Sequence, residues 1–189
     1  MGKNFNILMV GVGGQGIILA SNIISRLALI HGLDVKKSEI HGMSQRGGSV
    51  FSHIRLGEKV YSPTIPEGEV DVLISLEEME TIRWIGFLND NTRIFLTDTR
   101  ILPAEVEEYP ENIKEELQAK FKNFFVINQK DVLEKVGKPK FLNTGILGFV
   151  SNHLQFSEDE WKQSIKEEVP EGSFDENWKA FLNVRNKVA

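Results

Sequence analysis

Cysteine is absent from this chain of 189 residues. Disulfides, thiol nucleophiles and the thiolate ligands of iron–sulfur clusters all need cysteine, so the chain alone supplies none of them. If the protein takes part in electron transfer, another subunit must carry the electrons. The 4 histidines lack the spacing of a zinc site such as His-Glu-x-x-His, so we predict no metal bound by this chain.

The chain also lacks a long hydrophobic run, a basic patch and a serine-hydrolase motif. No window approaches the roughly 20 apolar residues that span a bilayer, and no apolar leader precedes the first strand, so we expect a cytoplasmic protein that binds no membrane. The 22 Lys and Arg residues are interspersed with 27 Asp and Glu, which argues against a nucleic-acid surface. The absence of Gly-x-Ser-x-Gly disfavours a hydrolase.

Strands and helices alternate along the chain. Apolar runs predict strands at residues 4–10, 33–40, 70–76, 93–97 and 124–127. Helical periodicity predicts helices at residues 16–30, 77–88, 111–122, 131–136, 144–154, 158–168 and 176–186. Residues 49–56 alternate in hydrophobicity, and Gly57-Glu58 is expected to turn the chain back into residues 59–62 as an inserted β-hairpin. We therefore predict an α/β fold: a three-layer αβα sandwich with a mostly parallel, Rossmann-like sheet, this inserted hairpin, and a helical C-terminus at about residues 144–189.

A glycine-rich turn joins the first predicted strand to the first predicted helix. Its sequence is Gly11-Val12-Gly13-Gly14-Gln15-Gly16. Glycine adopts positive φ and lets the backbone approach a ligand, and the free N–H groups at a helix start attract anions. We predict that Gly11, Gly13, Gly14 and Gly16 bind a cofactor phosphate, and that Gln15 orients this phosphate or packs against another subunit. The alternative is that these glycines serve only the packing of a strand-to-helix corner.

A second polar loop follows the second predicted strand. It reads His41-Gly42-Met43-Ser44-Gln45-Arg46-Gly47-Gly48 and lies at a strand's carboxyl end, where ligands of open α/β sheets collect. We expect it to share one crevice with the glycine turn, and we predict cofactor contacts from Gln45, Arg46, Gly47 and Gly48. Packing against another subunit is the alternative for Gln45 and Arg46, and for Arg46 a plain surface ion pair is a further one.

Neither loop supplies an evident catalytic group, and we predict none in this chain. Glu39 lies where a dinucleotide fold keeps its ribose-binding acid, but the predicted hairpin interrupts the strand and helix order that this role requires. His41 and His53 are candidates for acid–base chemistry, because imidazole in general titrates near neutral pH. A structural, hydrogen-bonded histidine is the alternative for both.

Several segments together resemble the gamma-type domain of the 2-oxoacid:ferredoxin oxidoreductases, in particular the indolepyruvate branch of that family. They are the glycine turn at 11–16, the block at 38–50 and the segment at 61–71 that begins Tyr61-Ser62-Pro63-Thr64-Ile65-Pro66. The similarity extends to residues 143–148 and 176–181, so it covers nearly the whole chain. We take residues 1–189 as one such domain. The Glu-x-His-Gly-Met-Ser-Gln-Arg-Gly-Gly block is much more specific than the glycine turn alone.

The resemblance implies a subunit rather than a complete enzyme. In this family a larger alpha subunit carries thiamine diphosphate, Mg²⁺ and the [4Fe-4S] clusters, while the small subunit helps to form the coenzyme A region. The implied reaction is oxidative decarboxylation of an aryl 2-oxoacid such as indolepyruvate, with coenzyme A taking the acyl group and ferredoxin the electrons. This chain would contribute binding and positioning, and we expect it to be inactive alone.

Two other functions remain open. The glycine turn and Glu39 would also suit a stand-alone dinucleotide-dependent oxidoreductase, and the fold would suit a non-catalytic nucleotide-binding module. Independently of any family, the predicted loops and terminal helix hold more large apolar side chains than they can easily bury, so some of them are candidates for a partner interface. Ordinary core packing is the better interpretation for any single one of them. These side chains are Phe5, Met43, Phe51, Tyr61, Ile65, Trp84, Trp178 and Phe181.

Overall fold

The computed structural model describes residues 4–41, 48–102 and 107–186. The strands are β1 (Phe5–Val12), β2 (Asp34–His41), β3 (Ser49–Gly57), β4 (Val70–Ser75), β5 (Leu88–Thr97) and β6 (Phe124–Ile127). The helices are α1 (Ile17–Ile30), α2 (Glu78–Arg83), α3 (Ile113–Lys120), α4 (Gln129–Val136), α5 (Leu142–Ser151), α6 (Glu158–Glu168) and α7 (Phe174–Arg185). Short 3₁₀ turns at Ile85–Phe87 and Pro139–Phe141 precede β5 and α5.

The strands form one sheet in the order β2-β3-β1-β4-β5-β6. The pairs β1–β4, β4–β5 and β5–β6 are parallel, whereas β3 runs antiparallel to both β1 and β2. One apolar cluster joins α1, α5, α6 and α7 to one face of the sheet, and a second joins α3 to the other face. These layers confirm the predicted αβα sandwich with a mostly parallel sheet.

Strand β1 lies inside the sheet and carries side chains into both apolar clusters. Ile7 and Met9 belong to the α1 side, whereas Leu8 and Val10 belong to the α3 side, and all four are buried. A continuous apolar run of this kind is typical of a strand that is covered on both faces. The carboxyl end of β1, and the glycine turn that follows it, are therefore held by the core of the protein.

The predicted hairpin partner of β3 is wrong. Residues 59–62 form no strand, and β3 pairs with the preceding β2 instead, so the inserted hairpin consists of β2 and β3. We call residues 58–66 the strap, because side chains hold its backbone across β3. The carboxylate of Asp34 accepts from the Val60 N–H at 2.8 Å, and the Arg55 guanidinium donates to the carbonyl of Thr64 at 3.1 Å. Because these backbone groups of the strap already have hydrogen-bond partners, they do not need to pair with a neighbouring strand.

Core packing, the better interpretation for each of these apolar side chains, is confirmed for most of those that the structure describes. Ile65 and Phe181 are completely buried, and the Trp178 ring stacks on Phe181 with centroids 5.2 Å apart. Phe5, Phe51 and Trp84 are partly buried against the two clusters, and Met43 lies outside the described residues. Only Tyr61 of this set is strongly exposed among the described residues. Within the same part of the chain, no helix is long and apolar enough to cross a bilayer.

Helices α5 and α7 approach each other closely at Gly148. A Cβ atom on Gly148 would overlap the carbonyl oxygen of Phe181 and lie 3.2 Å from the backbone nitrogen of Arg185. At Gly145, one turn earlier, a Cβ atom would lie 2.6 Å from a methyl group of Val136. Small residues at these two positions therefore set the distance between α5 and its neighbours.

Candidate functional site

The glycine turn leaves β1 with two residues in the left-handed region. Gly14 has a φ of 98° and Gly16 a φ of 79°, conformations that favour glycine. The Gln15 N–H donates back to the Val12 carbonyl at 3.2 Å, and the Gly13 N–H donates to the Gly48 carbonyl at 2.9 Å. The turn is therefore an ordered structure with a fixed backbone path.

The side chain of Gln15 braces the turn from inside. Its amide oxygen accepts from the Val12 N–H at 2.7 Å, and its amide nitrogen donates to the carbonyl of Leu76 at 2.7 Å, at the end of β4. A Cβ atom on Gly11 would lie 2.6 Å from that amide oxygen, so glycine at position 11 makes room for the brace. The Gln15 side chain therefore links the end of β1 to the end of β4, and Gly11 leaves room for it. The cofactor contacts of these two residues stay a prediction.

The start of α1 has free backbone donors. Gly16 is the N-cap residue, and among the described residues no side chain caps the helix. The first intrahelical bond is made by the Ala20 N–H, which donates to the Gly16 carbonyl. The N–H groups of Gly14, Gly16 and Ile17 have no hydrogen-bond partner within the described chain. Such donors, together with the positive end of the helix dipole, favour an anion.

Asn143 at the start of α5 connects this turn to the C-terminal helices. Its amide nitrogen donates to the Gly16 carbonyl at 3.2 Å, and its amide oxygen accepts from the Thr144 N–H at 2.7 Å. The Thr144 hydroxyl then donates to Asn177 on α7 at 2.8 Å, and Asn177 donates to the Ser173 carbonyl at 2.9 Å. This chain of polar groups links the segments 143–148 and 176–181 to the glycine turn.

A cleft of about 420 Å³ opens between the glycine turn and the start of α5. Its lining follows the carboxyl ends of β1, β4, β5 and β6: Gly14, Gln15, Gly16, Leu76, Thr97, Thr99, Ile101, Gln129, Pro139, Lys140, Leu142, Asn143 and Ile146. Lys140 brings a positive charge, and the hydroxyl of the 1% exposed Thr97 has no hydrogen-bond partner among the described residues. Apolar walls with a few polar groups are usual for ligand sites.

The second loop is described only at its ends. Gln45, Arg46 and Gly47 lie outside the described residues, whereas Gly48 is placed by its bond from Gly13. That bond brings the end of the second loop against the glycine turn, as the shared-crevice prediction requires. Gly48, the last residue of the second loop, therefore contacts the glycine turn at the carboxyl end of β1.

Glu39 and His53 lie away from the glycine turn. Glu39 is on β2, which β3 separates from β1, and its carboxylate pairs with Lys37 at 3.0 Å. His53 is buried on β3 within an aromatic group that includes Trp84, and its Nδ1 accepts from the Ile65 N–H at 3.0 Å. His53 therefore holds the strap, which is a structural role. The side chain of His41, the other histidine candidate, is not among those described.

Burial lowers the pKa of His53, and this predicts a pH-dependent stability. The unfolded chain binds a proton on this imidazole below about pH 6.5, whereas the folded chain does not until the pH reaches the lowered value. The free energy of unfolding should therefore fall between pH 7.5 and 5.5, by at most about 1.4 kcal/mol per pH unit from this group. Urea denaturation at several pH values measures the slope.

A His53→Gln variant is the matched control for this slope. Its free energy of unfolding should be lower overall but should depend less steeply on pH than that of the unmodified chain. The pKa of His153 is also lowered, by burial and by Arg93, so part of the slope should remain. Equal slopes in the two proteins would contradict the assignment of His53 as a buried neutral group.

A group of buried carboxylates beside the site was not predicted from the sequence. It comprises Glu77, Glu78 and Glu80 at the start of α2. Glu77 caps that helix and accepts from the Tyr109 hydroxyl at 2.6 Å, while Glu78 pairs with Arg100 at 2.9 Å. Glu80, whose pKa is raised by burial, accepts from the hydroxyl of Ser49 at 2.5 Å. The sequence does carry a signal for this group, namely an acidic run directly after a buried strand. Such a run is informative because functional groups collect at the strand ends of parallel sheets.

Comparison with known proteins identifies the family. Residues 6–186 match the family model described as pyruvate ferredoxin/flavodoxin oxidoreductase. The indolepyruvate oxidoreductase subunit IorB of Archaeoglobus fulgidus is 39% identical over 93% of this chain and 90% of its own length, and IorB of Thermococcus kodakarensis is 35% identical over 95% and 93%.

Solved structures agree on the fold. The gamma subunit of keto/oxoacid ferredoxin oxidoreductase from Geobacter sulfurreducens superposes with a TM-score of 0.72 at 20% identity, covering 98% of this chain and 97% of that one. The 2-oxoglutarate:ferredoxin oxidoreductase of Magnetococcus marinus, solved with 2-oxoglutarate, coenzyme A and succinyl-CoA bound, gives a TM-score of 0.74 at 18% identity. This match covers 98% of our chain but only 31% of the Magnetococcus marinus chain. The chain belongs to the pyruvate ferredoxin/flavodoxin oxidoreductase family.

Proposed function

We propose that this chain is the small subunit of a 2-oxoacid:ferredoxin oxidoreductase that acts on indolepyruvate or a related aryl pyruvate. The observation that carries the proposal is the 39% identity to IorB over 93% of the chain. A pyruvate/ketoisovalerate gamma subunit from Pyrococcus abyssi is less similar, at 30% over 75% of the chain, which favours the aryl substrate. The proposal treats residues 1–189 as one gamma-type domain and places the assembly in the cytoplasm.

The proposed assembly divides the chemistry between subunits. A larger alpha subunit would carry thiamine diphosphate, Mg²⁺ and the [4Fe-4S] clusters, and ferredoxin would accept the electrons. The absence of cysteine here is consistent with that division. When bound, thiamine diphosphate supplies the stabilisation of the carbanion left by decarboxylation. The residues of this chain would bind and orient the acyl acceptor.

Coenzyme A is the ligand that we propose for the glycine turn. The free N–H groups of Gly14, Gly16 and Ile17 fit one of its phosphates, since they form an uncapped helix start beside a cleft. The Gly13 N–H is bonded to Gly48 and would act by fixing the turn. Lys140 lines the same cleft and would add a counter-charge.

The remaining predicted cofactor contacts have two roles in this proposal. Gly11 and Gln15 would set the shape of the turn through the brace to Leu76. Gln45, Arg46, Gly47 and Gly48 belong to the second loop, from which Arg46 would approach the same phosphate. A guanidinium suits this task because it can donate two parallel hydrogen bonds to one anion.

Replacing Arg46 by alanine should weaken coenzyme A binding to the assembled enzyme by about tenfold or more, because a charge-assisted pair is lost. Isothermal titration of the purified complex measures the dissociation constant. Arg26→Ala is the matched control, since Arg26 lies in the second half of α1 and pairs with Glu168 on α6. An unchanged dissociation constant in Arg46→Ala would remove Arg46 from the site.

Activity of the assembled complex tests the proposed function itself. The chain is co-expressed with the alpha-type subunit of the same organism, and reduction of ferredoxin or a viologen dye is followed with indolepyruvate, pyruvate and 2-oxoglutarate. The highest kcat/KM is expected with indolepyruvate, and the rate should depend on coenzyme A. A chain that purifies alone, colourless, and binds a nicotinamide dinucleotide would favour the dinucleotide-dependent alternative instead.

A further inference from the structure

The second loop ends at Gly48 and strand β3 begins at Ser49, directly beside the glycine turn. Strand β3 pairs with β1 in register, with Ser49 opposite Val12. The Gly13 N–H extends this ladder past the end of β1 by donating to the Gly48 carbonyl at 2.9 Å. A group that fixes Gly48 or Ser49 therefore also fixes the backbone of the turn at Gly13.

The side chain of Ser49 is held by α2, on the side of the sheet opposite α1. Val50 belongs to the apolar cluster that includes α1, so Ser49, one residue earlier, faces the other side. There the Ser49 hydroxyl donates to the carboxylate of Glu80 at 2.5 Å. This distance is typical of a hydrogen bond from a hydroxyl to an ionised carboxylate, which is about twice as strong as a neutral one. The bond therefore ties the start of β3 to α2.

Glu80 differs in its contacts from the other buried carboxylates of α2. Glu77 caps the helix and Glu78 pairs with Arg100, so both stabilise α2 and its surroundings. Glu80 is 5% exposed, and burial raises its pKa, which makes its charged form costly at this position. Its counter-charge is Arg83, at 3.1 Å, on a side chain that is exposed to solvent. Such a pair adds little net stability, so the main effect of Glu80 is the fixed position of the hydroxyl that it binds.

The backbone of the glycine turn is supported at three points. The amide brace holds its first part at Val12, and Asn143 holds its last residue, Gly16. Between them, Gly13 is held by the end of the second loop. The next N–H group along the chain is that of Gly14, one of the free donors at the start of α1. A shift of the loop end would therefore move a group that we assign to anion binding.

We propose that Glu80 is a positioning residue for coenzyme A binding, because its carboxylate holds the Ser49 hydroxyl and thereby fixes the end of the second loop against the glycine turn. The inference rests on the proposed function, in which that turn binds a phosphate of coenzyme A. Glu80 acts through Ser49 and needs no contact with the ligand. Loss of the bond should weaken coenzyme A binding and leave the chemistry on the partner subunit unchanged.

Steady-state kinetics of the assembled complex, with coenzyme A varied and the preferred 2-oxoacid saturating, test this inference. Ser49→Ala should raise the KM for coenzyme A about fivefold or more and change kcat less than about twofold, because a misplaced donor weakens binding. Ser49→Thr keeps the hydroxyl and should restore the KM. Ser52→Ala is the matched control and should leave the KM unchanged. Ser52 is buried on the same strand, and its hydroxyl has no hydrogen-bond partner among the described residues.

A double variant tests whether Glu80 and Ser49 act as one unit. Glu80→Gln alone should raise the KM for coenzyme A less than Ser49→Ala does, because the amide oxygen still accepts a hydrogen bond, although a neutral one. Combining Glu80→Gln with Ser49→Ala should raise the KM no further, since the bond is already lost. Additive effects of the two changes would show that Glu80 influences the site by another path, and would overturn the inference.

The possible outcomes separate this inference from the proposed function. If the unmodified complex oxidises a 2-oxoacid with coenzyme A and Ser49→Ala has a normal KM, the role of Glu80 is wrong while the function stands. A fall in kcat alone, or a Ser49→Thr enzyme no better than Ser49→Ala, leads to the same conclusion. If the unmodified complex needs no coenzyme A, the proposed function fails and this inference with it. Thermal melting of each complex is measured alongside, and Glu80→Gln, which keeps the size of the side chain, decides the test if Ser49→Ala melts early.

Discussion

Replacing Gly148 by alanine is expected to cause one of the largest losses of stability available to a single methyl group in this chain. Alanine is intrinsically better in a helix by about 1 kcal/mol. Here, however, the added Cβ atom would overlap the Phe181 carbonyl oxygen and press on the backbone nitrogen of Arg185. Backbone atoms of a packed helix cannot turn aside as a side chain can, so α7 must move away from α5. The net loss should be about 3 kcal/mol, the upper part of the usual range for overpacking.

Urea denaturation of a graded set of variants measures this effect. In Gly145→Ala the new methyl group meets a methyl group of Val136, which can shift, so the loss should be smaller. Gly86→Ala is the control, because a Cβ atom there has no neighbour within 4 Å, and its effect should stay within about 0.5 kcal/mol. Equal stability of the Gly148 and Gly86 variants would show that the α5–α7 contact is looser than described.

Replacing Gly16 by alanine should damage the proposed anion site more than any other single change in the turn. Two effects combine. The φ of 79° costs a non-glycine residue about 1 to 2 kcal/mol, and the three atoms nearest to the new Cβ all belong to Asn143. Moving Asn143 releases the Gly16 carbonyl and shifts the first N–H groups of α1. Since small misplacements of binding groups can cost up to about a hundredfold, we expect at least tenfold higher KM for coenzyme A.

Two further variants separate the parts of this effect. Gly32→Ala has the same kind of backbone strain, with a φ of 87° and no neighbour within 4 Å, but lies at the far end of α1. It should lose about 1 kcal/mol of stability and leave the KM for coenzyme A unchanged. Adding Asn143→Ala to Gly16→Ala removes the collision and should recover part of the lost stability. A Gly16→Ala enzyme with normal KM would show that the turn does not bind coenzyme A.

Local patterns predicted the glycine turn and its place between β1 and α1 because the relevant signals lie within a few residues. Apolar periodicity identified the flanking elements, and positive φ at Gly14 and Gly16 needs glycine whatever the rest of the chain does. The same kind of pattern failed at residues 59–62. There the outcome depends on hydrogen bonds from the side chains of Asp34 and Arg55 to the backbone of the strap, which alternation in hydrophobicity does not reveal.

The internal roles of site residues were harder to predict than their positions. Gln15 fits a phosphate-binding motif, but its amide is occupied by Val12 and Leu76. A motif records which residue types occur together and does not distinguish a side chain that contacts a ligand from one that shapes the backbone. The contacts of Asn143 were missed for a related reason, since its partner Gly16 is 127 residues earlier in the chain.

The bond between Gly16 and Asn143 also constrains when the site can form during synthesis. The glycine turn leaves the ribosome early, but its clamp arrives 127 residues later, and the support from α7 later still. At about 5 to 20 residues per second, the turn waits roughly 6 to 25 s for Asn143. A nascent or prematurely terminated chain that has not reached Asn143 therefore has an unclamped turn, so the proposed anion site would form fully only after the C-terminal helices are made.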